Sequence, residues 1–331
     1  MLLSAEGVVQ ASLTAPLRLF NRMSDILRYS GASDSEERVE GIARVNGVEL
    51  WYEISGEGEP VVQIHGAGFG HFNFAPATPE LAQHFKVVDF DLRGYGGSDR
   101  PVQHYDMEVW ADDVAGLLDA LDIREAHIHG TSMGGMIAIV FAGKYPERTA
   151  SVVINCAAAK LGESGRLVFK NWIDIATLDP DGPGSRILAE LISWQALSKA
   201  FLETPDGVAA IDTIQQILRD SNRLEVFNAA CEAMCDMDLR AWLPKITSPA
   251  LVLGGDEDLM TPWDQGPGGA GQQAIANGIP GAEAHVIRGS NHSTIFDNTA
   301  EHNRAVIDFF TRHGLAARAA AVGGGAAEAK T

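Results

Sequence analysis

The chain has 331 residues, 46% of them hydrophobic, and a formal net charge of −19. A surface that negative repels nucleic-acid phosphates and anionic lipid, so neither a nucleic acid nor a membrane is an expected partner. Three cysteines, Cys156, Cys231 and Cys235, form no disulfide framework and fit a reducing compartment such as the cytoplasm.

The first stretch, MLLSAEGVVQASLTAPLRLF, has neither a basic start nor a long apolar run, so it does not read as a secretory signal. No run of about 18 apolar residues offers a membrane span. Residues 14–29 predict a short helix: Thr14 caps it, Pro16 sits in its first turn, and Leu17, Phe20, Met23 and Leu27 share one side. With the polar linker SGASDSEERVEG, residues 1–40 form an arm expected to pack on the body or on a second copy, which would make a homodimer.

Beyond the arm, short β-branched runs alternate with helical patterns. VVQIH (61–65), KVVDF (86–90), EAHIHG (125–130) and SVVINC (151–156) are almost continuously apolar, as strands buried on both faces are. Helical spacing covers 107–121 and 133–145. This alternation predicts an α/β fold with a mostly parallel sheet covered by helices. From 160 to 245 it stops, and a helical segment rich in Phe169, Trp172, Trp194, Phe201, Phe227, Met234, Met237 and Trp242 reads as an inserted cap. Cys231 and Cys235 share a face there, which is packing rather than a metal site. Strands resume at ALVLGG (250–255) and EAHVI (283–287), followed by a helix over 298–313. The core is thus 41–159 together with 246–314, and the low-complexity tail 315–331 is expected to be disordered.

Gly130-Thr131-Ser132-Met133-Gly134 stands between a strand and a helix. A tight turn there throws Ser132 outward, needs tiny neighbours, and sets the hydroxyl at a helix N-terminus that favours a developing oxyanion. A serine nucleophile needs a base and a group to orient that base. His292 follows the last strand, at the same sheet edge, and is the expected base. In HGAGFG (65–70) the glycines let backbone amides approach a ligand, so Ala67 N–H and Met133 N–H are the expected oxyanion donors. His127 and His129 lie in a strand and read as core. His71, His84, His104, His285, His302 and His313 have no motif and are expected at the surface. The acid comes from GGDEDLMTP: Asp258, four before Pro262, is preferred and Asp256 is the fallback.

The order Ser132, Asp258, His292, with HGAGFG upstream and DFDLRGYGGSDRP between, resembles the α/β-hydrolase-fold serine hydrolases over about residues 42–313. DLRGYGGSDRP and GTSMGGM are similar to the branch holding 3-oxoadipate enol-lactonase-like enzymes, meta-cleavage-product hydrolases, small esterases and cofactor-free perhydrolases. The resemblance implies acyl transfer through a serine ester, with no metal and no organic cofactor. It implies that Asp91 and Arg93 brace a loop, and a serine at the turn speaks against dehalogenases and epoxide hydrolases. Two stretches depart from it: Gly68-Phe69-Gly70 replaces the Gly-Pro-Gly usual in C–C hydrolases, and WDQGPGGAGQQ is a long connection. The expected substrate is a small, largely apolar ester or lactone, with Phe69, Trp172, Trp194 and Met234 as candidate substrate-binding residues. C–C hydrolysis of a diketone or dienoate is the alternative, followed by perhydrolysis, acyl transfer and a low-turnover receptor. A dianionic substrate would call on Lys160, Arg166, Lys170 or Arg186.

Overall fold

The computed structural model describes residues 38–314. Its strands are β1 (Val39–Val45), β2 (Val48–Ser55), β3 (Pro60–Ile64), β4 (Lys86–Phe90), β5 (Ala126–Thr131), β6 (Thr149–Asn155), β7 (Ala250–Gly255) and β8 (Glu283–Ile287). They form one sheet in the order β1-β2-β4-β3-β5-β6-β7-β8. Pairing is antiparallel from β1 to β2 and from β2 to β4, and parallel from there to β8. Every residue of β5, β6 and β7 is buried, which is why these strands carry unbroken apolar runs rather than alternation.

The β1–β2 hairpin was not foreseen from its pattern. Its turn is Asn46-Gly47, both at positive φ (48° and 79°), as a primed two-residue turn demands. β1 is mostly exposed, so its apolar signal is weak.

Helices cover both faces. α1 (Met107–Ala120) and α2 (Met133–Lys144) lie on one. Asp106 caps α1 by accepting from Val109 N–H at 2.8 Å, satisfying one of the helix's unpaired donors. The other face carries the C-terminal helix Thr299–Arg312, whose Val306, Phe309 and Phe310 pack with Val61, Val87, Val153 and Leu253. Each such fully buried side chain contributes about 1.5–3 kcal/mol of hydrophobic stabilisation.

This second face also buries imidazoles. His127 and His129 are fully buried, as their place in a strand implied. His302, expected at the surface, is fully buried too and stacks on His129 at 5.2 Å between centroids. It lies on the inward side of its helix with Val306 and Phe309, a placement that its bare sequence neighbourhood does not announce. Burial pulls its pKa down to about 3 and lowers that of His129 well below the ordinary range. His71 is a second departure: its ring is only 14% exposed and bonds Asp91 Oδ1 at 2.8 Å. Asp91 also accepts from the backbone N–H groups of His71 and Gly97. Burial would raise its pKa, but His71 overrides this and brings it to about 2. Arg93 pairs with Asp113 at 2.6 Å. Both residues therefore brace their loop, as the resemblance implied.

Between β6 and β7 the chain forms α3 (Glu163–Leu178), α4 (Arg186–Ala196), a short turn of helix at Lys199–Leu202, α5 (Pro205–Ser221) and α6 (Leu224–Asp236). Trp172 of α3 stacks against Phe227 of α6 and donates from Nε1 to Gln195 at 2.8 Å. Cys231 is buried and Cys235 partly so, both as free thiols. After β7 come α7 (Gln272–Gly278) and α8 (Thr299–Arg312). The arm of residues 14–29, the dimer it would allow and the tail 315–331 lie outside the described residues. No helix among the described residues is long and apolar enough to cross a membrane.

Candidate active site

Ser132 sits between β5 and α2 with φ 57° and ψ −121°, a strained backbone for a residue with a Cβ. The turn is tolerated because its neighbours are glycines. A Cβ on Gly134 would lie 1.8 Å from the Ile64 carbonyl oxygen, and one on Gly130 would lie 2.2 Å from that of Gly134. Ser132 N–H donates to Asn155 O at 2.9 Å, tying the turn to β6.

His292 and Asp258 arrive from loops at the same edge. His292 Nε2 is 2.8 Å from Ser132 Oγ, and its Nδ1 is 3.1 Å and 3.2 Å from the two oxygens of Asp258. With Nδ1–H assigned toward the carboxylate by these partners, Nε2 presents a lone pair to the hydroxyl. Asp258 also accepts from Met260 N–H, Thr261 N–H, the Thr261 hydroxyl and Gln272 Nε2. Burial would raise its pKa, but His292 and the Thr261 donors outweigh that and hold the carboxyl below its usual range. Asp256, the fallback, is exposed and accepts instead from Gly289 N–H at 2.7 Å, in the loop that follows β8.

The sulfur of Cys156 lies behind this pair: its donor atom and those of Asp258 and His292 fall within 4.8 Å of one another. Burial and the Asp258 charge raise its pKa far above the ordinary thiol range. The Asp258 carboxylate it approaches is already engaged by His292, Thr261 and Gln272.

Met133 opens α2, so its N–H belongs to the unpaired first turn. Ala67 N–H bonds no acceptor among the described residues, whereas the preceding Gly66 N–H donates to Asn73 Oδ1 at 2.8 Å. His65 fastens this loop: its Nδ1 bonds Gly66 O at 2.8 Å and its Nε2 accepts from Leu92 N–H at 2.9 Å. Burial lowers its pKa to about 4, so it stays neutral and can accept that bond.

A chamber of about 30 Å³ lies over Ser132. Phe69, Trp172, Ile192, Met260, Ile295 and Phe296 wall it. Phe69 and Trp172 thus face it, but two other expected lining residues do not. Trp194 is 62% exposed on the outer side of α4, the opposite side from Ile192. Met234 is fully buried in α6, among the side chains that hold the cap together, and is not part of the chamber wall. Both corrections follow from helical spacing: Trp194 is two residues from Ile192, which turns it away. Ile192 and Met260 were missed because an isolated aliphatic side chain carries no sequence signal of facing a cavity.

Among the described residues, no lysine or arginine lines the chamber. Lys160 pairs with Asp238, Arg166 with Asp236, and Arg186 with Glu190 and Asp212, all at the surface. Lys170 lines a different, open groove beside Glu232.

This chain belongs to the α/β-hydrolase fold family: the family model for the alpha/beta hydrolase fold matches residues 59–181, and the sheet, the serine turn and the inserted helices agree with it. It is 30% identical to a putative carbamate hydrolase, RutD, of Pantoea ananatis, over 65% of this chain and 78% of that protein. It is 27% identical to the 2-hydroxymuconate semialdehyde hydrolase of Pseudomonas sp. (strain CF600), over 82% of this chain and 93% of the relative. The crystal structure of the enol-lactonase from Burkholderia xenovorans LB400 superimposes with a TM-score of 0.73 at 28% identity, covering 82% of this chain and all of that one.

Proposed function

We propose that the protein is a serine hydrolase that cleaves a small, neutral, largely apolar carboxylic ester or lactone through an acyl-serine intermediate. The observation that carries this reading is the line Asp258–His292–Ser132 opening into a chamber walled by apolar side chains and free of cationic ones. His292 Nε2 takes the Ser132 proton as Oγ attacks the carbonyl carbon. The oxyanion that forms accepts from Ala67 N–H and Met133 N–H. Collapse breaks the bond to the alkoxide, which receives the proton from His292. A water then attacks the acyl-serine, His292 takes its proton, and the acid leaves as Ser132 Oγ is reprotonated. Asp258 keeps the imidazole in the productive tautomer and stabilises it when charged.

The enol-lactonase likeness sides with the lactone, whereas the 2-hydroxymuconate semialdehyde hydrolase relative makes C–C cleavage of a dienoate the second reading. The chamber speaks against it, since a substrate carboxylate would find no cation to pair with and would pay the full cost of desolvation. A series of p-nitrophenyl esters from acetate to octanoate, run beside a 2-hydroxy-6-oxo dienoate, tests the choice. The expected result is turnover of the short esters and little of the dienoate. Faster turnover of the dienoate would replace the ester reading with the second one.

A further inference from the structure

The loop that carries His292 is fastened to the cap where α4 ends. Ser293 N–H donates to Ala196 O at 2.8 Å, Asn291 Nδ2 donates to Leu197 O at 3.0 Å, and Ser198 N–H donates to Asp297 Oδ1 at 2.8 Å. The other oxygen of Asp297 accepts from Asn291 N–H at 2.8 Å. Asn291 Oδ1 accepts two bonds, from Leu259 N–H at 3.0 Å and from His292 N–H at 2.9 Å. One amide side chain, 4% exposed, thereby joins the acid loop, the histidine and the cap. α4 is also the helix whose Ile192 and Ala196 wall the chamber.

We propose that Asn291 and Asp297 are positioning residues that couple the seating of α4 over the chamber to the alignment of His292 with Ser132. The inference rests on the serine-hydrolase reading above. Proton transfer needs the imidazole within hydrogen-bond reach of the hydroxyl, and a misplacement of about 1 Å costs on the order of 10²-fold in rate. With a seated α4, the Ala196–Ser198 backbone pins both ends of the histidine loop. When α4 lifts, those bonds break and the loop loses its anchor. An acyl group that seats α4 therefore also aligns the base.

Two isosteric changes each weaken a side-chain bond of the cap link and leave the Ser293–Ala196 backbone bond in place. Asn291→Asp retains the oxygen that accepts from Leu259 and His292 but sets a second oxygen against the Leu197 carbonyl. Asp297→Asn retains one acceptor and turns an amide N–H toward a backbone donor. Labelling of Ser132 by a fluorophosphonate in the wild type reports on the serine-hydrolase reading by itself, and its failure removes that reading together with this one. Given labelling, each variant is expected to lower kcat on a short p-nitrophenyl ester by about 10–100-fold with KM within about threefold. The labelling rate should fall in parallel, with circular dichroism unchanged. The double variant should lose little more than the worse single one, because both act on the same link. Unchanged kcat, or a loss confined to KM, overturns the proposal. If Asn291→Asp does not fold, Asp297→Asn carries the same test.

Discussion

At the Ser132 turn, backbone atoms crowd so closely that a Cβ on Gly134 would sit 1.8 Å from a carbonyl oxygen. In α3 and α4, which wall the chamber over that turn, side chains meet side chains: Trp172 lies on Phe227 and Gln195, while two residues beyond Ile192 Trp194 stands 62% exposed. The first region tolerates almost no alternative sequence, because its constraint is backbone against backbone. The second needs only volume and amphipathic spacing, which many sequences supply. A protein divided this way can keep one chemistry fixed and vary what it acts on.

That contrast can be broken at its strongest point. Ser132→Ala is expected to lower ester turnover by about 10⁴-fold or more with the fold retained, since among the described residues Ser132 supplies the one hydroxyl bonded to His292 Nε2. Retention of a few per cent of activity in purified, folded variant would sink the assignment. Next comes the acid. Asp258→Asn should cost about 10⁴-fold in kcat/KM by favouring the wrong imidazole tautomer, while Asp256→Asn, whose partner is Gly289 N–H, should cost less than about tenfold. A larger loss at Asp256 would reverse their roles.

Gly134→Ala sharpens the stability side: the inserted methyl meets main chain that cannot rotate away, so a loss of about 3 kcal/mol or more is expected in urea unfolding. The cap should answer differently. Trp172→Ala opens the chamber and should shift the chain-length preference toward longer acyl groups by roughly tenfold per added step in kcat/KM, the scale of methylene discrimination in an apolar pocket. Trp194→Ala should change stability by no more than about 0.5 kcal/mol and leave that preference where it was.

Legibility from sequence follows the same division. The central parallel strands were readable because strands buried on both faces are largely apolar, and KVVDF and ALVLGG match β4 and β7 residue for residue; EAHVI also matches β8, although that edge strand is only partly buried. Ser132, His292 and Asp258 stood out because glycine spacing and strand ends are local signals, and the structure brings all three within hydrogen-bond distance. The β1–β2 hairpin escaped because its outer strand faces water, although Asn46-Gly47 was a usable turn signal. His71 and His302 escaped because burial is decided by elements far away in sequence, here Asp91 and the β5 face. Trp194 was misjudged because aromatic content alone does not give a helix its orientation. Asn291 and Gln272 had no signal at all, since their hydrogen bonds exist only once separate segments have met, whereas Thr261 bonds an acid only three residues away.

The imidazoles stored in the interior make unfolding a proton-consuming reaction. His302, with its pKa drawn to about 3 by burial, stays neutral in the native protein at pH values where the unfolded chain, with an ordinary histidine pKa near 6.5, is charged. Its folded pKa is lowered, so the unfolded state binds the extra proton and stability rises with pH across that interval. The contribution is complete above pH 6.5 and drains away as pH falls toward about 3. Asp89 opposes it, since burial raises its pKa to about 7 and the native state then holds a proton the unfolded chain has lost. The two can be separated by difference. Between pH 4 and 6, the slope of unfolding free energy against pH in His302→Gln should be shallower than wild type by about 1.4 kcal/mol per pH unit, the equivalent of one proton. Parallel slopes would mean that His302 already carries its proton inside.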